Sequence, residues 1–211
     1  MNPLAIAFSI VLGCSAILAA MIVGRARPSS RDYLHFAAAL YLALALCTAF
    51  AAADTSAAAL GFSGAVTLVV FTLAPTSLSF ALFARFEHPP SGWIVGISLV
   101  LACASGIAAA ASGERVLALA PLSVSVLAMF ALCLRRWRIE KRAASYAFLS
   151  ACCLVCAAAA ALTNGDGSRT ALVLFSSAAL LGFGLALARR SRVAVASRRD
   201  LRHAAAISEK S

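Results

Sequence analysis

Seven apolar stretches, each near the length needed to cross a bilayer, fill the chain at residues 4–23, 33–53, 60–84, 93–111, 116–134, 143–162 and 170–188. A backbone amide left without a partner in hydrocarbon costs several kcal/mol, so spanning segments must be helices or the strands of a closed barrel. Barrel strands alternate apolar and polar residues, whereas these runs are continuous. The fold class expected is therefore an all-α integral membrane bundle of seven transmembrane helices. Composition agrees, with 63% hydrophobic residues, 12% charged residues and a mean hydropathy of +0.94. The expected division is a transmembrane domain over residues 1–188 and a basic tail over 189–211. The links between runs are too short for a second domain and make successive helices antiparallel.

Orientation follows from the cations, because positively charged loops stay cytoplasmic. Sixteen of the eighteen Lys and Arg fall on one side: Arg25, Arg27 and Arg31, then Arg85, the group from Arg135 to Arg142, and seven in the tail. The other side holds Arg115 and Arg169, together with Asp54, Glu114 and Asp166. The reading is an outer N-terminus and a cytoplasmic C-terminus. Residues 1–9 hold no Lys or Arg, so the first apolar run is expected to be a helix rather than a cleaved secretory signal. The expected location is the inner membrane of a bacterium.

The net charge of +10 raises the question of nucleic acid. The basic residues cluster at helix ends, without a recognition helix or aromatic pattern beside them, so no nucleic-acid partner is expected. Anionic headgroups on the cytoplasmic face fit better, each cation near such a leaflet contributing about 1 kcal/mol. The candidate headgroup contacts are Arg135, Arg136, Trp137 and Arg138 in one loop and Arg189, Arg190, Arg192, Arg198 and Arg199 in the tail. Ser197 and Asp200 have capping-box-like spacing and could start a short tail helix.

No catalytic, cofactor-binding or metal-ligating set is expected. The only lysines, Lys141 and Lys210, fall outside the apolar runs, which excludes a retinal Schiff base. Of three histidines only His35 falls in a run, too few for a bis-histidine haem. The seven cysteines lie within or at the ends of the runs, where hydrocarbon disfavours the thiolate, and are read as small apolar residues.

Small residues dominate 102–112 and 151–161, and Gly92 and Gly96 form a GxxxG pair. Small side chains let helices approach closely in lipid, so the fourth and sixth helices are expected inside the bundle. The third run is the longest and carries Pro75, which removes one helical hydrogen bond and frees a carbonyl near Phe71. Ser63, Thr67, Pro75 and Ser79 recur at multiples of four, with Thr72 and Thr76 beside them. This stripe is the candidate cleft, the alternative being that Thr72 and Thr76 repair hydrogen bonding around the proline.

An ion-coupled transporter keeps an ionisable residue on its pathway, and none falls in mid-run here. The functional expectation is a non-enzymatic membrane module: a sensor, regulator or accessory subunit acting through helix packing and a basic cytoplasmic face, with a membrane or cytoplasmic protein partner. The alternative is a transporter for a small uncharged or lipid-like substrate.

Overall fold

In the computed structural model, which describes residues 3–23, 28–54, 56–163 and 166–189, the chain is almost wholly helical. Among the described residues seven helices are long and apolar enough to cross a membrane. They are α1 (Pro3–Ile22), α2 (Pro28–Ala53), α3 (Ala57–Phe86), α4 (Gly92–Ser112), α5 (Leu119–Arg136), α6 (Lys141–Leu162) and α7 (Asp166–Ala188). A 3-10 turn, Arg115–Ala118, leads into α5.

The hydropathy runs located every helix but shortened several of them. α2 starts five residues before its run, because proline is favoured in a first helical turn and polar residues there cost nothing outside hydrocarbon. α3 is 30 residues long, about 45 Å of rise, and extends at its end through Arg85 to Phe86. That exceeds a hydrocarbon core of about 30 Å. The fifth helix begins at Leu119, three residues after the start of its run, which opens instead with the 3-10 turn.

Six helices close a ring: α1 packs on α2 and α7, α2 on α3, α3 on α5, α5 on α6, and α6 on α7. α3 also reaches α6 and α7 across the centre. The core gathers Tyr41, Leu44, Ala74, Leu78, Leu82, Met129, Leu154, Leu180 and Phe183, all buried. Over an eighteen-residue apolar stretch 72% of α3 is buried, the largest share among the seven helices, against 22% for α4.

The placement of α4 corrects the sequence expectation. It lies outside the ring, packed chiefly on α3, with Trp93, Ile94, Ile97, Val100 and Leu101 exposed. Only one face, Val95, Ala102, Gly106 and Ala109, is buried. The small residues at 102, 106 and 109 serve a single crossing, while large apolar residues elsewhere on the helix are as stable against lipid as in a core. A Cβ at Gly106 would come 2.8 Å from Thr72 Oγ1 and 2.9 Å from Val69 Cα, whereas at Gly92 and Gly96 it would meet nothing within 4 Å. The GxxxG pair is thus not a helix contact within this chain. α6 does present a small-residue face to the ring, with Ala143, Ala147, Ser150, Ala151 and Ala157 buried.

Candidate functional site

Short links place the start of α1 beside the ends of α2, α4 and α6 and the starts of α3, α5 and α7. This end of the bundle carries Asp54, Glu114, Arg115 and Arg169, and is called here the sparsely charged end. The helices do not pack tightly over one another at this end. A half-enclosed cleft of about 920 Å³ opens there, within the size range of sites for small organic ligands.

The cleft exists because small side chains from several helices meet at one depth. α3 contributes Gly61, Ser63, Gly64, Ala65 and Thr67, α2 contributes Ala51 and Ala52, α4 Ala109 and Ala110, and α6 Ala160 and Ala161. A Cβ at Gly61 or Gly64 would meet nothing within 4 Å. Gly113, at φ 74°, ends α4 in the left-handed conformation that glycine adopts without strain, and turns the chain back toward the cleft at Arg115. Phe8, Leu68, Leu172 and Val173 give the lining its larger apolar surface. Thr48 on the wall shares a hydrogen bond of 2.8 Å with Ser9, joining α1 to α2.

Among the described residues two cations, Arg115 and Arg169, also line the cleft. Arg169, in the first turn of α7, is exposed, and Arg115 donates from Nη1 to the Leu162 carbonyl at 3.4 Å, holding the end of α6. Asp54 is turned to the α2–α3 link, where its carboxylate accepts from the Ser56 amide at 2.9 Å. Sequence reasoning treated Arg115 and Arg169 only as topology charges. The available signal was that these two stand alone against the positive bias of the other face.

The polar stripe on α3 divides with depth. Ser63 and Thr67 line the cleft, half-buried, and Thr67 donates to the Ser63 carbonyl at 2.8 Å. Thr72, Pro75, Thr76 and Ser79 are buried below it. Thr72 donates to the Val69 carbonyl at 2.9 Å and stands against Gly106 of α4. Thr76 donates to the Thr72 carbonyl at 2.8 Å and meets the Ser125 hydroxyl of α5 at 3.1 Å, while Ser79 donates to the Thr76 carbonyl at 2.7 Å. Of these bonds the Thr76–Ser125 contact ties α3 to α5, and the others return to the backbone of α3 itself. Neither threonine hydroxyl is bonded to the Phe71 carbonyl that Pro75 leaves without its amide donor.

The opposite, basic end is tied rather than open. Arg85, with a side chain only 1% exposed, pairs through Nη2 with Glu140 at 2.8 Å and lies over the Phe86 ring. Glu87 pairs with Arg136 at 3.0 Å and with Arg135 at 3.5 Å. The end of α3 thus presents a cation and an anion to an anion and cations from the α5–α6 hairpin. The partners and burial of Arg85 were not legible in sequence, since it falls one residue beyond its apolar run.

Among the candidate headgroup residues, Arg136 is drawn into the ion pair with Glu87 and is half-buried, whereas Arg135, Trp137 and Arg138 are exposed. Arg189 is exposed and lies over the Tyr146 ring at 5.4 Å. Arg190, Arg192, Arg198 and Arg199, the Ser197–Asp200 motif, and Arg25 and Arg27 lie outside the described residues, as does the side chain of Asp166. Among the described residues no three of His, Cys, Asp or Glu gather as metal ligands. Comparison with family models, with curated proteins and with solved structures gives no match for this chain.

Proposed function

We propose that the protein is a non-enzymatic receptor module of a bacterial inner membrane, with its sparsely charged end outside and its basic end in the cytoplasm. It acts as a sensor, regulator or accessory subunit: a molecule enters the cleft, and the response passes to a protein partner or to anionic headgroups at the basic face. The observation that carries this reading is a half-enclosed cleft of about 920 Å³ that lies on the same helix as a packed floor and an ion-paired far end. Below the cleft, Val70, Phe71, Ala74 and Leu78 of α3 are buried in the core. A blind cleft of this kind offers binding surface without a path through the bundle. Among the described residues its lining supplies apolar walls, hydroxyls and two guanidinium groups, a set suited to holding a molecule.

A cleft open at one end over a tied opposite end is also the shape of one state of an alternating-access carrier, which supports transport of a lipid-like substrate as a second reading. Single-cysteine variants at 67 and 79 separate the two. For a receptor, a water-soluble maleimide reaches position 67 from outside only, and position 79 stays unlabelled from either side. Labelling of position 79 from the cytoplasmic face would favour the carrier. A tag at Ser211 reached by protease from outside intact cells would overturn the orientation. Purification in mild detergent with identification of bound lipids and proteins then separates a ligand sensor from an accessory subunit.

A further inference from the structure

We propose that the α5–α6 hairpin is a switch read by anionic phospholipid: a headgroup phosphate takes Arg135 and Arg136 from Glu87, and the start of α4 is released. The inference rests on the receptor reading and names how its basic face answers to headgroups. Arg136 donates to Glu87 Oε1 from Nε at 3.2 Å and from Nη2 at 3.0 Å, and Arg135 approaches the same oxygen at 3.5 Å. Two guanidinium groups thus share one carboxylate oxygen. A phosphodiester carries two charged oxygens and can give one to each. The Arg135 side chain is 74% exposed, so a headgroup reaches it without rearrangement. Residues 135–142 hold five cations and one carboxylate, and that carboxylate, Glu140, pairs with Arg85. Leu134, Trp137 and Ile139 are exposed beside the arginines, an aromatic and apolar surround suited to the boundary between headgroups and acyl chains.

The ties at this end differ in how readily they exchange. The Arg85 side chain is only 1% exposed, which shuts its pair with Glu140 away from headgroups, whereas Arg135 meets Glu87 at the surface, where ion pairs contribute little. Glu87 stands at the start of the 87–91 link into α4. Of the four buried residues of α4, Ala102, Gly106 and Ala109 lie in its second half. Its first turns bury only Val95, with Trp93, Ile94, Gly96 and Ile97 exposed. Pro89 and Pro90 stiffen the link, so a displacement at Glu87 passes to Gly92 and Trp93. Loss of the Glu87 pairs therefore frees the start of α4 while the end of α3 stays tied through Arg85.

The test uses the full chain in nanodiscs of phosphatidylcholine, with and without phosphatidylglycerol. Amide hydrogen exchange over residues 87–97 should speed up on the order of 5-fold with phosphatidylglycerol and stay unchanged over residues 80–86. Glu87→Gln should exchange fast in phosphatidylcholine alone and gain nothing further from phosphatidylglycerol. On extraction from mixed nanodiscs, Arg135→Gln with Arg136→Gln should retain about 5-fold less phosphatidylglycerol, and Glu87→Gln should retain more than the parent chain. Asp32→Asn removes an exposed carboxylate from the same end and should retain the parent amount. Equal gains in Glu87→Gln and Asp32→Asn would reduce the effect to bulk charge and overturn the competition. Exchange that ignores phosphatidylglycerol, or that speeds up equally over residues 80–86, would overturn the switch. The same speeding produced by soluble glycerol phosphate in pure phosphatidylcholine would overturn the lipid as occupant. The receptor reading fails separately, through labelling of position 79 from the cytoplasmic face, so either can fall without the other.

Discussion

Replacing Gly106 by alanine should loosen the crossing of α4 on α3, and the structure sets the size of the effect. The added methyl would stand 2.8 Å from Thr72 Oγ1 and 2.9 Å from the Cα of Val69. Unstrained carbon contacts lie at about 3.5–4.0 Å, so the helices must part by roughly 0.6–1 Å at this point. The Val69 atom is backbone and cannot rotate away. A gap of that size forfeits about a quarter to a half of each dispersion well along the crossing, including those at Ala102 and Ala109. Overpacking of this kind costs about 1–3 kcal/mol, or a fall in Tm of roughly 2–4 °C for each kcal/mol in a chain of this size. Unfolding by dodecyl sulfate in mixed micelles reads the free energy, and tryptophan fluorescence from Trp93 follows α4 itself. Gly96→Leu is the paired control: a side chain there meets nothing, and stability should stay within about 0.5 kcal/mol. Thr72→Ala should rescue Gly106→Ala only in part, since it removes one of the two close contacts. A neutral Gly106→Ala, or a Gly96→Leu as costly as Gly106→Ala, would refute the peripheral, one-faced packing of α4.

Three further outcomes follow from the site geometry. Glu140→Gln strips Arg85 of its 2.8 Å partner and should destabilise by about 3 kcal/mol in micelle unfolding, with recovery when Arg85→Met is added; no recovery would mean that the pair is incidental. Thr76→Val removes the hydroxyl that meets Ser125 and should cost about 0.6 kcal/mol, whereas Ser63→Ala, on the cleft wall, should cost nothing measurable. Among aqueous maleimide targets in detergent, cysteine at 63 or 67 should react at least ten times faster than cysteine at 76 or 79, a ratio near unity being the contrary result.

How much of this was legible in sequence depended on whether hydropathy carries the information. The seven spans were legible because hydrocarbon imposes its length and polarity on each of them. Their ends were less so, because α2 and α3 continue past their apolar runs through Arg31, Asp32 and Arg85, which a helix carries readily outside hydrocarbon. The position of α4 was not legible, since lipid and protein interior accept Ile94, Ile97 and Leu101 equally well, and a run of alanines reads alike on either side. The period-four stripe from Ser63 to Ser79 marked a mildly polar face of α3. Periodicity has no knowledge of depth, however, and only the neighbouring helices decide that Ser63 and Thr67 meet a cleft while Thr76 meets Ser125.

The cleft and the tied end are opposite consequences of one size gradient along α3. Its first turns carry Gly61, Ser63, Gly64 and Ala65, and its last turns carry Phe80, Leu82, Phe83, Arg85 and Phe86. Since α3 packs against α2, α4 and α5 and reaches α6 and α7, small residues at one end leave space that no single neighbour can fill. At the other end Leu82 and Phe86 are buried in the core, and Phe80 meets the Tyr33 ring of α2 at 5.9 Å. The three ion pairs with the α5–α6 hairpin then fix where α3 stops. Reversing the gradient would therefore move the opening: filling Gly61 and Gly64 closes the sparsely charged end without strain, whereas thinning Phe86 or Leu82 to alanine leaves a cavity beneath Arg85, at about 2–5 kcal/mol for each truncation. Only the first change is cheap, so a chain built this way can vary its cleft freely while its basic end stays constrained.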